Sequence, residues 1–305
     1  MSAPSAEAWS LRRCPSCGAV TTRPPERISS ACSYCASTLV DAERGALVVD
    51  RVAPFRLPAP AAEQRLREHL ARRPWAPERL RKAARRGRVD ARLVEGVLVP
   101  FHVYDATCRS RYETKVGMHW EESKRVIKDG KVEHEVERHT EWFSLRGTAV
   151  ARWRDHLVSA SVGLSAQEVA GLQPFDLGRA RPFDARLLAG WPAELPSRRR
   201  QQTDADALAQ IRALEIARIE REQLPGDTHR GTRVACQVEL GEAELVLLPV
   251  WVAALRHGER VVRLVVNGQT GRCYGRAPVS PLKVALAVLG VAVVVGLLLA
   301  WRLRA

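Results

Sequence analysis

Cys14-Pro15-Ser16-Cys17 and Cys32-Ser33-Tyr34-Cys35 place four thiols in two C-x-x-C knuckles, with fourteen residues between them. Each knuckle offers two thiolates from one tight turn, and two such turns complete a closed tetrahedron around Zn²⁺. The competing readings are unrelated thiol pairs or two disulfides of a secreted chain. Residues 1–10 carry no apolar run of the signal-peptide kind, and zinc thiolates belong in a reducing compartment. The spacing therefore predicts a zinc ribbon held by Cys14, Cys17, Cys32 and Cys35. Four sulfurs leave no open coordination position, so this zinc is structural. Cys108, Cys236 and Cys273 have neither a paired spacing nor an obvious base and read as small hydrophobes.

A second polar constellation comprises His119, Glu121, Glu122, His134, Glu135, Glu137, His139 and Glu141. In a strand Glu135, Glu137 and His139 share one face. No Cys/His spacing fixes a cage there, so the cluster reads as an exposed hairpin face. The chain has no G-x-x-x-x-G-K-[ST], no G-x-S-x-G and no H-E-x-x-H. No residue is assigned to catalysis, and the chain is read as a non-enzyme.

Charge is the third signal. The 48 basic and 34 acidic residues give a net +14. Eleven Arg/Lys against three acidic residues fall between Arg65 and Arg92. Arg65, Arg67, Arg72, Arg73, Arg79, Arg81, Lys82, Arg85, Arg86 and Arg88 are the candidate phosphate- or lipid-contacting residues. Leu66, Leu70, Trp75, Leu80 and Leu93 punctuate them, which predicts basic amphipathic helices broken near Pro74 and Pro77. Three readings stay open: nucleic-acid phosphates, anionic lipid headgroups, or a solvated arginine-rich face. The ribbon loop between Gly18 and Ala31 offers Arg23 and Arg27 but no aromatic ring to stack on bases, with only Tyr34 nearby.

The elements that position these groups are predicted as an α+β fold. A ribbon spans 1–40, a linker 41–60 with a short strand at 46–49, a basic helical segment 61–95, and an α+β body 96–280. The body is an antiparallel β-meander with helices, with strand sets over 97–162 and 233–274 and a helix over 203–224. The apolar positions of that helix fall on no single stripe. Residues 164–191 are mixed and turn-rich. Asp129-Gly130, His257-Gly258 and Asn267-Gly268 mark hairpin turns, the last as type I′ with Gly271 at a bulge. Val97-Leu98-Val99-Pro100-Phe101 and Val246-Leu247-Leu248-Pro249-Val250-Trp251 each open a meander, a hint of two related units.

From Val284 to Trp301 no charge or strong polar group appears. Such a helix approaches the ~30 Å hydrocarbon core of a bilayer. Lys283 and Val284 at one end, and Trp301 and Arg302 at the other, are the expected anchor residues. The reading is a single transmembrane helix over 282–302, tail-anchored, with the body in the cytoplasm. Ala292 and Gly296 form a small-x-x-x-small pair, a weak pointer to anchor pairing.

Leu248-Pro249-Val250-Trp251, Val266-Asn267-Gly268-Gln269-Thr270-Gly271-Arg272, Gly275 and Pro278-Val279-Ser280-Pro281-Leu282-Lys283 resemble the C-terminal signature of bacterial zinc-ribbon membrane proteins of poorly defined function. These are often labelled TFIIB-type zinc-ribbon or replication-protein-like. The resemblance extends through Leu188-Ala189-Gly190-Trp191, Pro174-Phe175-Asp176 and Pro100-Phe101-His102-Val103-Tyr104-Asp105, with His102 where tryptophan is expected. It transfers no catalytic residue. It implies a membrane-bound protein whose partners are membrane proteins of the phage-shock and stomatin-like (SPFH) kinds. The function expected is a membrane-anchored zinc-ribbon adaptor that recruits protein partners. The alternative is a membrane-tethered nucleic-acid binder using the ribbon and the basic 65–92 face.

Overall fold

The computed structural model describes residues 10–23, 27–32, 34–86, 95–128, 131–257, 260–275 and 280–304. In chain order the elements are β1 (Ser10–Arg13), β2 (Val20–Arg23), β3 (Arg27–Ala31), β4 (Thr38–Val40), α1 (Ala42–Val48), β5 (Arg51–Val52), α2 (Ala59–Ala71), α3 (Glu78–Arg85), β6 (Glu95–Lys128), β7 (Lys131–Ser159), α4 (Ala166–Leu172), β8 (Arg181–Pro182), β9 (Ala193–Glu194), α5 (Arg200–Glu222), β10 (Thr228–Leu240), β11 (Glu244–His257), β12 (Arg260–Asn267), β13 (Cys273–Gly275) and α6 (Pro281–Arg304). The α+β class is as expected. The chain divides into one unit of residues 1–101, 159–198 and 245–305 and a second of residues 102–158 and 199–244. Each unit is assembled from segments that are not contiguous in sequence.

In the first unit the strand order is β13-β12-β11-β6-β9-β3-β4, with β5 joined to β11 and β8. The two proline-bearing apolar segments, 97–101 in β6 and 246–251 in β11, are therefore neighbours in one sheet and do not each found a unit of their own. The expected linker is ordered: α1 occupies its first half, and Val49, Val52 and Ala53 are buried. Ala, Glu and Leu favour helix over the predicted strand. Gly45 lets α1 lie against the Phe183 ring, where a Cβ would stand 2.3 Å from the ring. One core layer gathers Ile28, Val52, Leu98, Ala193 and Leu247. Another sets Ala62, Leu66 and Leu70 of α2 against Trp251, Leu264 and Val266.

The ribbon is not a free module. β3 pairs with β4 and, on its other edge, with β9. Ser29 Oγ donates to the Trp191 carbonyl at 2.6 Å, the Gly190 amide donates to Thr38 Oγ1 at 2.8 Å, and Ile28 is fully buried. Among the described strands only β1 and β2 stand apart as a two-stranded sheet.

The residues of the family-like signature meet inside this unit. Phe55 stacks on Trp191 (4.0 Å) and meets Trp251 edge-on (5.0 Å), and the two tryptophans are 5.5 Å apart. Phe101 packs near Phe175 at 5.8 Å. The Asn267-Gly268 turn differs from the type I′ expectation: among the residues from Asn267 to Gly271 only Gly271 has positive φ. Asn267 instead closes the turn with its own side chain. Its Oδ1 accepts from the Gln269 and Thr270 amides, and its Nδ2 donates to the Leu172 and Pro174 carbonyls. Gly268 is required by close approach, since a Cβ there would meet Phe55 at 2.7 Å and Pro249 at 2.9 Å.

In the second unit β6, β7 and β10 form an antiparallel sheet, with β10 running from Thr228 against Gly117 to Leu240 against Ala106. The second strand set thus begins at Thr228, earlier than expected. β6 alternates with period two: Tyr104, Ala106, Cys108 and Ser110 are buried, while Asp105, Arg109 and Arg111 are exposed. The helix expected over 203–224 is α5, and it covers the buried face. Its buried positions are Thr203, Ala207, Ile211, Glu215 and Ile219. That is one stripe at a spacing of four, and the expected lack of a single stripe came from Glu215. This carboxylate is fully buried yet satisfied: Arg218 grips it at 2.7 and 2.9 Å, and Trp153 Nε1 donates at 3.1 Å. A buried, bidentately paired carboxylate is tolerated only with such partners. His102 sits at the start of this core, its Nδ1 2.9 Å from Thr203 Oγ1. The Tyr104 hydroxyl donates to Asp204 at 2.8 Å, and burial, the largest cause, pushes its pKa up to about 12.

Candidate metal centre

The two knuckles fold alike. The Cys14 amide bonds the Ala19 carbonyl and Gly18 bonds back to Cys14; the Cys32 amide bonds Ser37 and Ala36 bonds back to Cys32. Each turn aims its two sulfurs inward, and the four Sγ atoms lie within 4.8 Å of one another. Cys14–Cys35 is 3.7 Å and Cys17–Cys32 is 3.9 Å. Sulfurs about 2.3 Å from a central ion in a tetrahedron stand roughly 3.8 Å apart, and a disulfide needs about 2.05 Å. The cluster fits a four-coordinate metal ion and excludes disulfides in this arrangement. Cys14 and Cys32 are buried against Leu39, whereas Cys17 and Cys35 are exposed.

The four sulfurs and their neighbours set one another's protonation. A hydrogen bond with Ser37, helped by the Cys17 amide, brings Cys14 down to about 6, and Ser37 lowers Cys35 as well. At Cys17 the Ala19 amide works downward, but Cys35, burial, Cys14 and Cys32 outweigh it and lift the thiol to about 12. Four thiols this close cannot all ionise alone; a dication removes the conflict.

The knuckles differ at one position. Gly18 has φ +73° and Ala36, its counterpart, φ +56°. No atom lies within 4 Å of a Cβ placed at Gly18, so the cost of a side chain there is torsional. The left-handed conformation costs a non-glycine residue about 1 kcal/mol. Ala36→Gly is therefore expected to stabilise the metal-bound protein by roughly that amount, and Gly18→Ala to weaken it as much. Thermal melts with the metal bound test both; equal and opposite shifts support the matched geometry, and a destabilised Ala36→Gly contradicts it.

The second constellation resolves into Glu122, Glu137 and His139, which approach one another across β6 and β7. Lys124 Nζ already sits among them, 2.6 Å from Glu137 and 3.4 Å from Glu122, and its hydrogen bond holds the Glu137 carboxyl below its usual range. Trp120 stacks on the His139 ring at 4.7 Å. This is a surface ion cluster with its own cation. The three remaining cysteines behave as hydrophobes. Cys108 lies in the core under α5 and Cys273 packs beside Trp251 and Leu264, and burial lifts both thiols to about 12.

The basic residues do not share one face. Arg67 pairs with Glu63 at 3.2 Å and Arg81 with Glu78 at 3.1 Å. Arg79, Lys82, Arg85 and Arg86 are exposed on and just after α3, and Arg88 lies outside the described residues. Arg65, Arg72 and Arg73 line a cleft of about 440 Å³ together with Glu68, His69, Pro74, Gly271 and Cys273. Of the expected anchor residues, Lys283 Nζ donates to the Pro74 carbonyl (2.8 Å) and the Ala76 carbonyl (2.9 Å). Val284 and Trp301 lie within α6 with side chains outside the described residues, and Arg302 is exposed. Among the described residues no helix is long and apolar enough to cross a membrane. The backbone of α6 runs from Pro281 to Arg304, and its described apolar side chains lie within 285–296.

Comparison of the chain with protein-family models, with curated proteins and with solved structures finds no match.

Proposed function

We propose that this protein is a membrane-anchored adaptor: α6 fixes it in the cytoplasmic membrane as a single pass, the body lies in the cytoplasm, and a structural zinc ion stiffens the edge at which partners are recruited. The observation that carries the reading is the exposure of α6. Leu286, Val288, Leu289, Val291, Val293, Val294 and Val295 point to every side of the helix, and each is about half exposed or more. A helix apolar all round needs an apolar surrounding. Its 24 residues extend about 36 Å, against a hydrocarbon core of ~30 Å. Zinc is favoured for the four-cysteine centre because it takes thiolates tetrahedrally and closes the site. The resemblance of the signature residues to zinc-ribbon membrane proteins supports partners of the phage-shock or SPFH kind.

The test is fractionation followed by capture. The full chain is expected to stay with membranes through alkaline carbonate, and deletion of residues 284–305 to release it. A deleted chain that remains membrane-bound sinks the anchor. Capture from detergent-solubilised membranes, with and without nuclease, then separates the functions. Membrane proteins that survive nuclease support the adaptor, and partners lost on nuclease treatment favour the tethered nucleic-acid binder.

A further inference from the structure

We infer that the arginine cleft of α2 is a binding site for the phosphate headgroup of an anionic phospholipid, held at the root of α6. The inference rests on the proposed membrane anchor. Its own support is local geometry that the sequence does not display.

The charge in the cleft is in excess. Among the described residues lining it Glu68 is the only carboxylate, and one oxygen serves both Arg65 (3.4 Å) and Arg72 (3.9 Å). The other oxygen is taken by Gln64 at 3.0 Å. Arg73 turns its guanidinium toward His69 at 3.1 Å. Burial, and then Arg73 itself, lowers the His69 pKa, so the imidazole is neutral and adds no positive charge. Three guanidinium groups thus line the cleft, and the Glu68 carboxylate serves two of them. Arginine presents planar paired donors that match phosphate oxygens, which Arg67 and Arg81, tied to their own acids, cannot offer freely.

The position selects the source of the phosphate. Pro74 forms part of the cleft wall, and its carbonyl is clamped by Lys283 in the first turn of α6. The Ser280 amide donates to the Trp75 carbonyl at 2.8 Å, binding the same turn to the chain entering α6. Trp75 is itself about half exposed, an amphipathic ring of the kind enriched at headgroup depth. The cleft therefore opens within one turn of the place where the apolar helix leaves the body. Anionic lipids attract basic groups there by about 1 kcal/mol per arginine, or roughly fivefold in occupancy. Among the described residues that line the cleft none is Phe, Tyr or Trp, the rings on which successive bases of a nucleic-acid strand stack.

The full chain and an Arg72→Gln/Arg73→Gln variant are reconstituted in vesicles of equal parts phosphatidylglycerol and phosphatidylcholine. They are then re-extracted in mild detergent, and the lipid retained per protein is weighed by mass spectrometry. Both substituted side chains are exposed, so equal zinc content and equal melts show that the variant is folded. The expected result is phosphatidylglycerol enrichment over the bulk ratio, falling about fivefold for each arginine lost. Equal enrichment in wild type and variant, with both resistant to carbonate, overturns the cleft and leaves the anchor standing. Extraction of the wild type by carbonate overturns the anchor and this inference with it. Enrichment abolished by millimolar inorganic phosphate assigns the cleft to a free anion and overturns the lipid.

Discussion

A Cys14→Ser/Cys17→Ser double variant is expected to lose its metal and, with it, more of the protein than the knuckles. Structural zinc binding releases on the order of 10–16 kcal/mol, which is folding free energy wherever the apo site is unformed. Here that energy is coupled to the sheet. Cys32 directly follows β3, and β3 is the strand that both closes the second knuckle hairpin and pairs with β9. Ile28, the second residue of β3, is fully buried against Val52, Leu98, Ala193 and Leu247. The Asp41 amide bonds the Ile28 carbonyl at 2.8 Å, so the entry to α1 hangs on the same strand. Withdrawing one buried isoleucine costs about 2–5 kcal/mol. Hydrogen exchange should therefore show lost protection over 27–48 and at 190–194, with α5 and its core around Tyr104 and Ile211 unchanged. Retained stoichiometric zinc would sink the four-thiolate assignment. Loss confined to residues 10–23 would mean that the sheet, and not the metal, holds β3 and β4.

Local chemistry made part of this legible in the sequence. Two C-x-x-C turns carry their geometry within themselves, because each knuckle is closed by hydrogen bonds between residues five or fewer apart, such as Cys14 with Ala19. The apolar run of α6 and the helix over 200–222 are likewise statements about neighbours along the chain. What sequence reading missed depends on partners far away. The ribbon looks like a separate module until Ser29 is seen bonded to Trp191, 162 positions distant. Glu215 looks like a break in the apolar stripe of α5, although its spacing of four from Ile211 and Ile219 was a usable signal; its partner Trp153 lies on another element. Asn267-Gly268 reads as a hairpin turn by local preference, but the Asn side chain takes its conformation from Leu172 and Pro174. The arginine run showed its charge and not its cleft, because Gly271 and Cys273 come from the other end of the chain.

Asn267→Ala is expected to be the most damaging single substitution outside the metal centre. The side chain is fully buried and makes four hydrogen bonds: from Nδ2 to Leu172 (2.9 Å) and Pro174 (3.0 Å), and to Oδ1 from Gln269 (2.8 Å) and Thr270 (2.9 Å). At about 1 kcal/mol each the bonds sum to roughly 4 kcal/mol, and two of the orphaned groups, the Leu172 carbonyl and the Gln269 amide, lie on buried residues, where an unmade bond costs most. Asn267→Asp separates the two halves of this network. Its carboxylate can still accept from Gln269 and Thr270, but its second oxygen faces two carbonyls and has no proton to give. A loss comparable to the alanine variant is therefore expected, measured as the shift in urea midpoint at constant slope. The damage should spread along a defined route. The Gly268 carbonyl accepts from the Arg56 and Leu57 amides, and the Leu57 carbonyl accepts from Trp251 Nε1 at 3.0 Å. Leu57 leads directly into α2, which carries the arginine cleft, so lipid enrichment should fall in the Asn267 variants though no cleft residue has changed. An Asn267→Asp protein of wild-type stability would show that the two donated bonds contribute nothing, and the signature turn would then need an account other than its fit to Leu172 and Pro174.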